Sequence, residues 1–311
     1  MLAASRGRTS GDVMWGRHHG GVPVGVIDVG SNTVRLLVVR GGRPVLSERE
    51  MLRLGSDVER DGRISERKLA QAAEVVAGYA EDARSAGVEE LEVLITSPGR
   101  QAANGDDLHE VLALAARCPV RVLSSAEEGR LAFVGAVGLA TPPSRRTVAV
   151  VDVGGGSAQV VVGTRRDGPT WQQSIDLGSQ RLTSRLLTDE PPGEWAVRRA
   201  SAEVARYLTG LAPPEPRTAY AVGGSARALK RIVGPRLGAS EFAYLLDLVA
   251  TTPAAELGER YGIAAERTRT VAAGAVILAA FQRLLDAPLK VVRGGLRDGA
   301  VAELAERRVA A

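Results

Sequence analysis

The sequence predicts an α/β protein of two lobes with a ligand cleft between them. Three observations carry this. The stretches "VGVIDVGSNTVRLLVV" (24–39) and "VAVVDVGGGSAQVVVG" (148–163) are copies of one unit: an apolar run, Asp-Val-Gly, small or polar residues, then a second apolar run. The copies lie a domain apart, Asp28 to Asp152 (152 − 28 = 124 residues), in a chain of 311 residues. That length suits two domains of roughly 100–200 residues each. Strand-like and helix-like patterns then alternate behind each copy, as α/β lobes require.

Each unit reads as a β-hairpin, because Val, Ile and Leu continue on both sides of the turn. The repeat aligns Gly30 with Gly154, Thr33 with Ser157, and Arg35 with Gln159. Walker A and Rossmann loops run from strand into helix, so this pattern excludes both. Glycines reach positive φ and lack a Cβ, so the consecutive N–H groups of Gly154, Gly155 and Gly156 can converge on one anion. The aspartates at the strand ends suit a divalent cation, or a water that touches phosphate.

Behind the first hairpin, "ISERKLAQAAEVVAGYAEDARSAGV" (64–88) has helical spacing, with Ser65 as N-cap and Gly87 as stop. Residues 91–97 read as strand, 104–118 as helix, 120–124 as strand, and a helix starts near Ala126. The polar, proline-bearing "TPPSRRT" (141–147) reads as the hinge between lobes. In the second half, 198–211 reads as helix and 218–222 as strand. "AYAVGGSARALKRIVG" (219–234) reads as strand, Gly223-Gly224-Ser225, then helix, whose first N–H groups favour an anion. Helices follow at 240–251 and 268–286, then a strand at 289–293 and a closing helix from Arg297.

Composition removes other chemistries. The chain has one cysteine, Cys118, hence no internal disulfide, in keeping with a reducing cytoplasm. Of three histidines, His18 and His19 lie in the first 21 residues, so a histidine metal site or triad has no material. Those 21 residues lack the apolar core of a secretion signal and read as a disordered tail, or as an extension from a misassigned start codon. No run approaches the roughly 20 apolar residues of a membrane span. Lysine and arginine total 40, of which only Lys68, Lys230 and Lys290 are lysines, and the net charge is +4. Arginine grips phosphate oxygens bidentately, so a polyanionic ligand is compatible with this composition.

Seven stretches together resemble the exopolyphosphatase/guanosine pentaphosphate phosphohydrolase (Ppx/GppA) family: "VIDVGSNTVRLLVV", "RLGSDVERDGRIS", "TSPGRQAAN", "LSSAEEGRLAFVGA", "VVDVGGGSAQVVVG", "AVGGSARAL" and "GLRDGAV", in family order from 24 to 301. The resemblance implies two RNase-H-like lobes of the actin-like ATPase superfold: 22–143, 144–295, and a closing helix at 296–311 packing back near the first lobe.

It also implies a site. Glu128 would be the base that activates water, and Asp152 the carboxylate that positions metal or water, with Asp28 facing it as a further metal ligand. Gly30, Ser31 and Asn32 would form the phosphate cradle with Gly154, Gly155, Gly156 and Ser157, and Gly223 and Gly224 its floor. Arg100 and Asn104 match residues that face the cleft, with Arg100 on phosphate. Arg297 reads as structural, near the lobe junction. Where the family commonly carries a glutamate, this chain has Gln159, an amide that brings no charge to a metal it would share with Asp152.

The implied activity is release of orthophosphate from the ends of inorganic polyphosphate with Mg²⁺ or Mn²⁺, in the cytoplasm, without membrane or nucleic-acid partners. A homodimer remains open. The alternatives are hydrolysis of the 5′ phosphate of guanosine pentaphosphate, a weakly active polyphosphate- or alarmone-binding regulator, and a kinase- or ATPase-like activity. The chain carries no further C-terminal helical domains like those of longer homologues, which points towards shorter polyphosphate.

Overall fold

A computed structural model describes residues 21–310; the tail predicted at 1–21 thus lies, but for Gly21, outside the described residues. The first lobe is built on β1 (Val24–Val29), β2 (Thr33–Arg40), β3 (Arg43–Met51), β4 (Glu90–Ile95) and β5 (Val120–Val122). Their order is β3-β2-β1-β4-β5; β1, β2 and β3 pair antiparallel, and β4 and β5 extend the sheet in parallel. Around them lie α1 (Leu54–Asp61), α2 (Glu66–Ser85), α3 (Ser97–Gln101), α4 (Gly105–Ala116) and α5 (Ser125–Ala140).

The second sheet repeats the plan with β6 (Val148–Val153), β7 (Ala158–Thr164), β8 (Gly168–Ile175), β9 (Thr218–Val222) and β11 (Leu289–Val291), ordered β8-β7-β6-β9-β11, and β10 (Arg236–Leu237) pairs onto the β11 edge. Its helices are α6 (Ser179–Leu186), α7 (Gly193–Leu208), α8 (Gly223–Val233), α9 (Ala239–Thr251), α10 (Ala254–Tyr261), α11 (Ala265–Thr268) and α12 (Val271–Leu285); α13 (Leu296–Ala310) ends the described chain. Two RNase-H-like sheets with this shared strand order make the actin-like α/β fold.

The two hairpins are superimposable in their hydrogen bonding. Gly30 N–H donates to Thr33 O at 3.1 Å, and Gly154 N–H to Ser157 O at 3.0 Å. In register, Asp28 stands opposite Arg35 and Asp152 opposite Gln159.

Strand alternation decides where the aspartates point. Ile27 and Val29 pack with α2 and α4, whereas Val24 and Val26 face Leu131 of α5 and Leu296, Val301 and Leu304 of α13. Asp28 shares the side of Val24 and Val26. In the second sheet Ala149 and Val151 pack into the large outer core, while Val148 and Val150 meet Phe133, Ala136 and Val137 of α5. Asp152 shares the side of Val148 and Val150. Both carboxylates therefore sit on the faces that the two lobes turn towards each other.

Helices α5 and α13 lie side by side between the sheets, and their packing crosses the chain order. The α5 helix, before the loop at 141–147, packs on the second sheet, and α13, at the chain's end, packs on the first. Glycine makes this contact close. A Cβ on Gly135 would overlap the Gly295 carbonyl, and one on Gly299 the Leu131 carbonyl.

The structure departs from the sequence pattern in places. The stretch 268–286 is broken into α11 and α12, and the helix expected after Gly223-Gly224-Ser225 begins at Gly223 itself.

Gly135→Ala places a methyl group where backbone already stands and must push α5 from α13. It is expected to destabilise the fold by about 1–3 kcal/mol, read as a lower midpoint of urea unfolding. An unchanged midpoint would show that the junction tolerates separation.

Candidate active site

Between the hairpins lies a cavity of about 150 Å³. Its wall holds Gly30, Ser31 and Asn32 of the first turn, Gly154, Gly155 and Ser157 of the second, and Gly223 and Gly224 at the start of α8. Asp28, Asp152 and Glu128 open into it. The turns are held by backbone of other elements. Gly55 N–H donates to Ser31 O at 2.8 Å, and the N–H groups of Leu52 and Arg53 donate to Asn32 O. Ser179 N–H donates to Gly154 O at 2.8 Å. Ser31 Oγ and Ser97 Oγ share a hydrogen bond of 2.6 Å. Gly223, at φ +85°, is required where it stands, since a Cβ would overlap Asp152 Oδ1.

Glu128 sits in the first turn of α5, which a capping box of Ser124 and Glu127 holds in place. It is 8% exposed. Arg100 Nη2 donates to its Oε2 at 2.8 Å, and Arg100 Nη1 donates to Leu123 O at 2.6 Å. Burial pushes the Glu128 carboxyl up to about 7; Arg100 opposes the rise, and the charges of Asp152 and Asp28 add to it. Burial likewise raises Asp152 to about 6, against Arg227 and Arg35, with Asp28 adding to the rise. Asp28 is also raised by burial, against Arg35 and Arg297.

Cations complete the wall: Arg35, Arg227, Arg267 and Arg297 all line the cavity. Burial lowers Arg35 to about 10 despite Asp28, and its Nε is buried without a hydrogen-bond partner. Arg297 Nη1 donates to Leu36 O at 3.3 Å. A desolvated guanidinium with an unused donor costs stability unless a ligand accepts from it. Buried carboxylates and arginines lining one cavity suit a phosphate group attacked by water.

Comparison with known proteins agrees. The Ppx/GppA phosphatase family profile matches residues 38–308. The chain belongs to the Ppx/GppA phosphatase family. It is 32% identical over 300 residues to Exopolyphosphatase 1 of Mycobacterium tuberculosis, covering 89% of this chain and 87% of that one. The crystal structure of the Aquifex aeolicus family member superimposes with a TM-score of 0.79 at 24% identity, covering 92% of this chain and 98% of that one. A second structure, of the A. aeolicus PPX-GPPA enzyme, gives 0.75 at 25% identity, covering 91% and 99%. Membership makes this chain a phosphatase.

Several residues of this phosphatase stand elsewhere than the sequence places them. Arg100 does not line the cavity; its guanidinium is spent on Glu128 and Leu123, so it acts on the carboxylate rather than on phosphate. Asn104 turns away: it accepts from Ile64 N–H at 2.8 Å and donates to Ile64 O at 3.0 Å, tying α4 to the start of α2. Gly156 lies outside the cavity, against Ser31, Ser97 and Gln101, where only glycine lets the second turn close on the first lobe. Gln159 is 2% exposed, donates to Ser157 Oγ at 3.0 Å, and does not line the cavity. Arg297, read from sequence as structural, is in the cavity wall.

Arg35, Arg227 and Arg267 were not foreseen as site residues. For Arg35 the repeat gave only its alignment with Gln159; its place opposite Asp28 comes from the strand register.

No group of three or more carboxylate, histidine or cysteine side chains among the described residues is arranged to hold a metal. Two neighbouring carboxylates are nevertheless what Mg²⁺ uses when substrate phosphates supply its other ligands. Asp28 and Asp152 fit that pattern; Gln159, bonded to Ser157, does not join them.

With Glu128 as the base, as proposed below, it must be deprotonated to act, and kcat/KM for phosphate release is expected to rise with pH through a midpoint near 7, reporting the free enzyme. Arg100→Gln removes the cation that opposes the rise, so the midpoint should move to higher pH. A midpoint that stays, or moves to lower pH, would show that Arg100 does not tune Glu128.

Proposed function

We propose that this phosphatase is an exopolyphosphatase that removes the terminal orthophosphate of inorganic polyphosphate with Glu128 as general base. The observation that carries this reading is the buried Glu128 carboxyl, raised to about 7, facing a cavity walled by glycine turns and arginines. The similarity to Exopolyphosphatase 1 of M. tuberculosis supports the substrate.

The terminal phosphate lies between the turns at 30–32 and 154–157, its oxygens accepting from backbone N–H groups and from Arg35. The only described hydrogen bond to the Glu128 carboxylate is to Oε2, leaving Oε1 to hold a water. The water oxygen attacks the terminal phosphorus as the bridging P–O bond breaks. The water's proton passes to Glu128, and the shortened chain leaves with the bridging oxygen and its electron pair. Phosphoryl transfer depends mainly on positioning and on stabilising equatorial charge, which fixed arginines and N–H groups supply without reorganisation. Mg²⁺ or Mn²⁺ held by Asp152 and Asp28 would neutralise further phosphate charge.

Arg35 is held charged by Asp28 but is desolvated; a phosphate gives its Nε an acceptor. Substrate binding is thereby coupled to relief of an unpaired donor.

Glu128→Gln keeps the shape and removes the base. Phosphate release from polyphosphate is expected to fall by about two orders of magnitude or more, with polyphosphate binding retained. Turnover within about twofold of wild type would exclude Glu128 as the base. Arg35→Met removes the orphan donor and is expected to raise KM for polyphosphate about tenfold or more. An unchanged KM would place phosphate elsewhere. Assays with polyphosphate, guanosine pentaphosphate and ATP, each with Mg²⁺ or Mn²⁺, test the substrate; exclusive action on guanosine pentaphosphate or on ATP would overturn the proposal.

A further inference from the structure

The repeat that aligns Arg35 with Gln159 also aligns Thr33 with Ser157. In the strand register Arg35 stands opposite Asp28, and Gln159 opposite Asp152. Arg35 and Gln159 therefore hold equivalent positions in the two lobes. In the first lobe the position brings its own donor to the cavity, Arg35 Nε, which has no partner. In the second it holds a buried amide that stops short of the cavity. Helix α5 closes over that amide: a Cβ on Gly129, next to Glu128, would stand 3.7 Å from Gln159 Cβ. A buried polar side chain needs a partner. The partner of Gln159 is Ser157, which is 1% exposed and does stand in the cavity wall.

The bond between them has a direction. Gln159 Nε2 donates to Ser157 Oγ at 3.0 Å. A longer donation, of 3.5 Å, runs from Nε2 to Ser174 Oγ on β8, whose own hydrogen goes to Ala158 O at 3.5 Å. With its hydrogen directed at that carbonyl, Ser174 meets the amide as an acceptor, which keeps the NH₂ end of Gln159 towards both hydroxyls.

A hydroxyl has one hydrogen to give and two lone pairs to receive. Gln159 occupies a lone pair of Ser157, so the hydrogen is left over. Among the described residues no acceptor takes it. A buried donor left unused is costly until a ligand accepts from it. A glutamate at 159 would reverse the bond, because a carboxylate only accepts. It would draw the Ser157 hydrogen to itself and turn oxygen lone pairs towards the cavity.

We propose that Gln159 is a positioning residue that makes the Ser157 hydroxyl a donor to the terminal phosphate, the second lobe's counterpart of Arg35. The inference rests on the reading above that places this phosphate between the two turns. The first lobe supplies its donor directly, and the second relays one through a hydroxyl. An amide where the family commonly has a carboxylate thus exchanges an acceptor, which suits a cation, for a donor, which suits an anion.

The test is a double-mutant cycle read by the affinity for inorganic phosphate, measured calorimetrically at fixed Mg²⁺. It compares wild type, Ser157→Ala, Gln159→Met, Gln159→Glu, and each change at 159 combined with Ser157→Ala. Ser157→Ala is expected to weaken phosphate binding about tenfold, and Gln159→Met about threefold. The loss from Gln159→Met should vanish once Ser157 is already alanine. Gln159→Glu should cost about tenfold or more, and at least threefold less in the Ser157→Ala background, where only its added charge remains. Such dependence on one hydroxyl is not what a packing defect produces. Losses of equal size in both backgrounds overturn the proposal, as do unchanged affinities throughout. Tighter phosphate binding by Gln159→Glu would also overturn it, since position 159 would then serve the cation. Gln159→Glu is isosteric and carries the test if Gln159→Met does not fold. Wild type that binds no inorganic phosphate would instead defeat the underlying placement of the phosphate, a distinguishable result.

Discussion

Everything at the cleft depends on the cost of keeping carboxylates out of water. Asp28, Asp152 and Glu128 are all raised by burial, and Asp152 and Glu128 also feel the charge of neighbouring carboxylates. Such a cluster is tolerable only with cations close by, and the fold supplies them from several elements: Arg35 from β2, Arg227 from α8, Arg297 from α13 and Arg100 from α3. The compensation is incomplete, and the proposed mechanism uses what is left over. A carboxyl near 7 can exchange a proton at neutral pH, and an arginine with an unused donor can take a phosphate oxygen.

The architecture follows from bringing these groups together. Each strand-end aspartate reaches the interlobe side because alternation puts it with the valines that face α5 and α13. The two helices must then approach closely, which the glycines at 135, 294 and 299 permit. The turns close on each other through Gly156 against Ser31 and Ser97. Across the mouth, Glu59 of α1 pairs with Arg181 and with Arg185 of α6, and Gln180 donates to Ser56. These polar links join the lobes at the mouth, and the apolar packing of α5 and α13 joins them behind it.

Much of this was legible in the sequence, for identifiable reasons. The hairpins announced themselves because both arms are buried and apolar and the turns are glycine-rich. The long helices α2 and α12 carried apolar spacing. The edge strands β3 and β8 did not: in "RPVLSEREM" nearly every side chain is exposed, so no alternation marks it, and its pairing with β2 is purely a backbone matter. At the site, the glycines and aspartates were evident because their positions are set locally. Arg100, Asn104 and Gln159 were misplaced because family pattern identifies a residue without showing its partner: Arg100 and Asn104 are engaged by groups remote in sequence, and Gln159 by the Ser157 hydroxyl of its own turn. Arg227 and Arg267 carry no local signal at all, in a chain where arginine is everywhere.

The central claim is that Glu128 is a buried carboxyl titrating near neutrality beside the phosphate turns. Infrared difference spectroscopy of the carboxyl stretch across pH, comparing wild type with Glu128→Gln, measures it directly. A protonated-carboxyl band that disappears with a midpoint near pH 7 in wild type, and is missing from the variant, is the predicted result. A Glu128 band that titrates near the ordinary glutamate value of about 4.3 would contradict it.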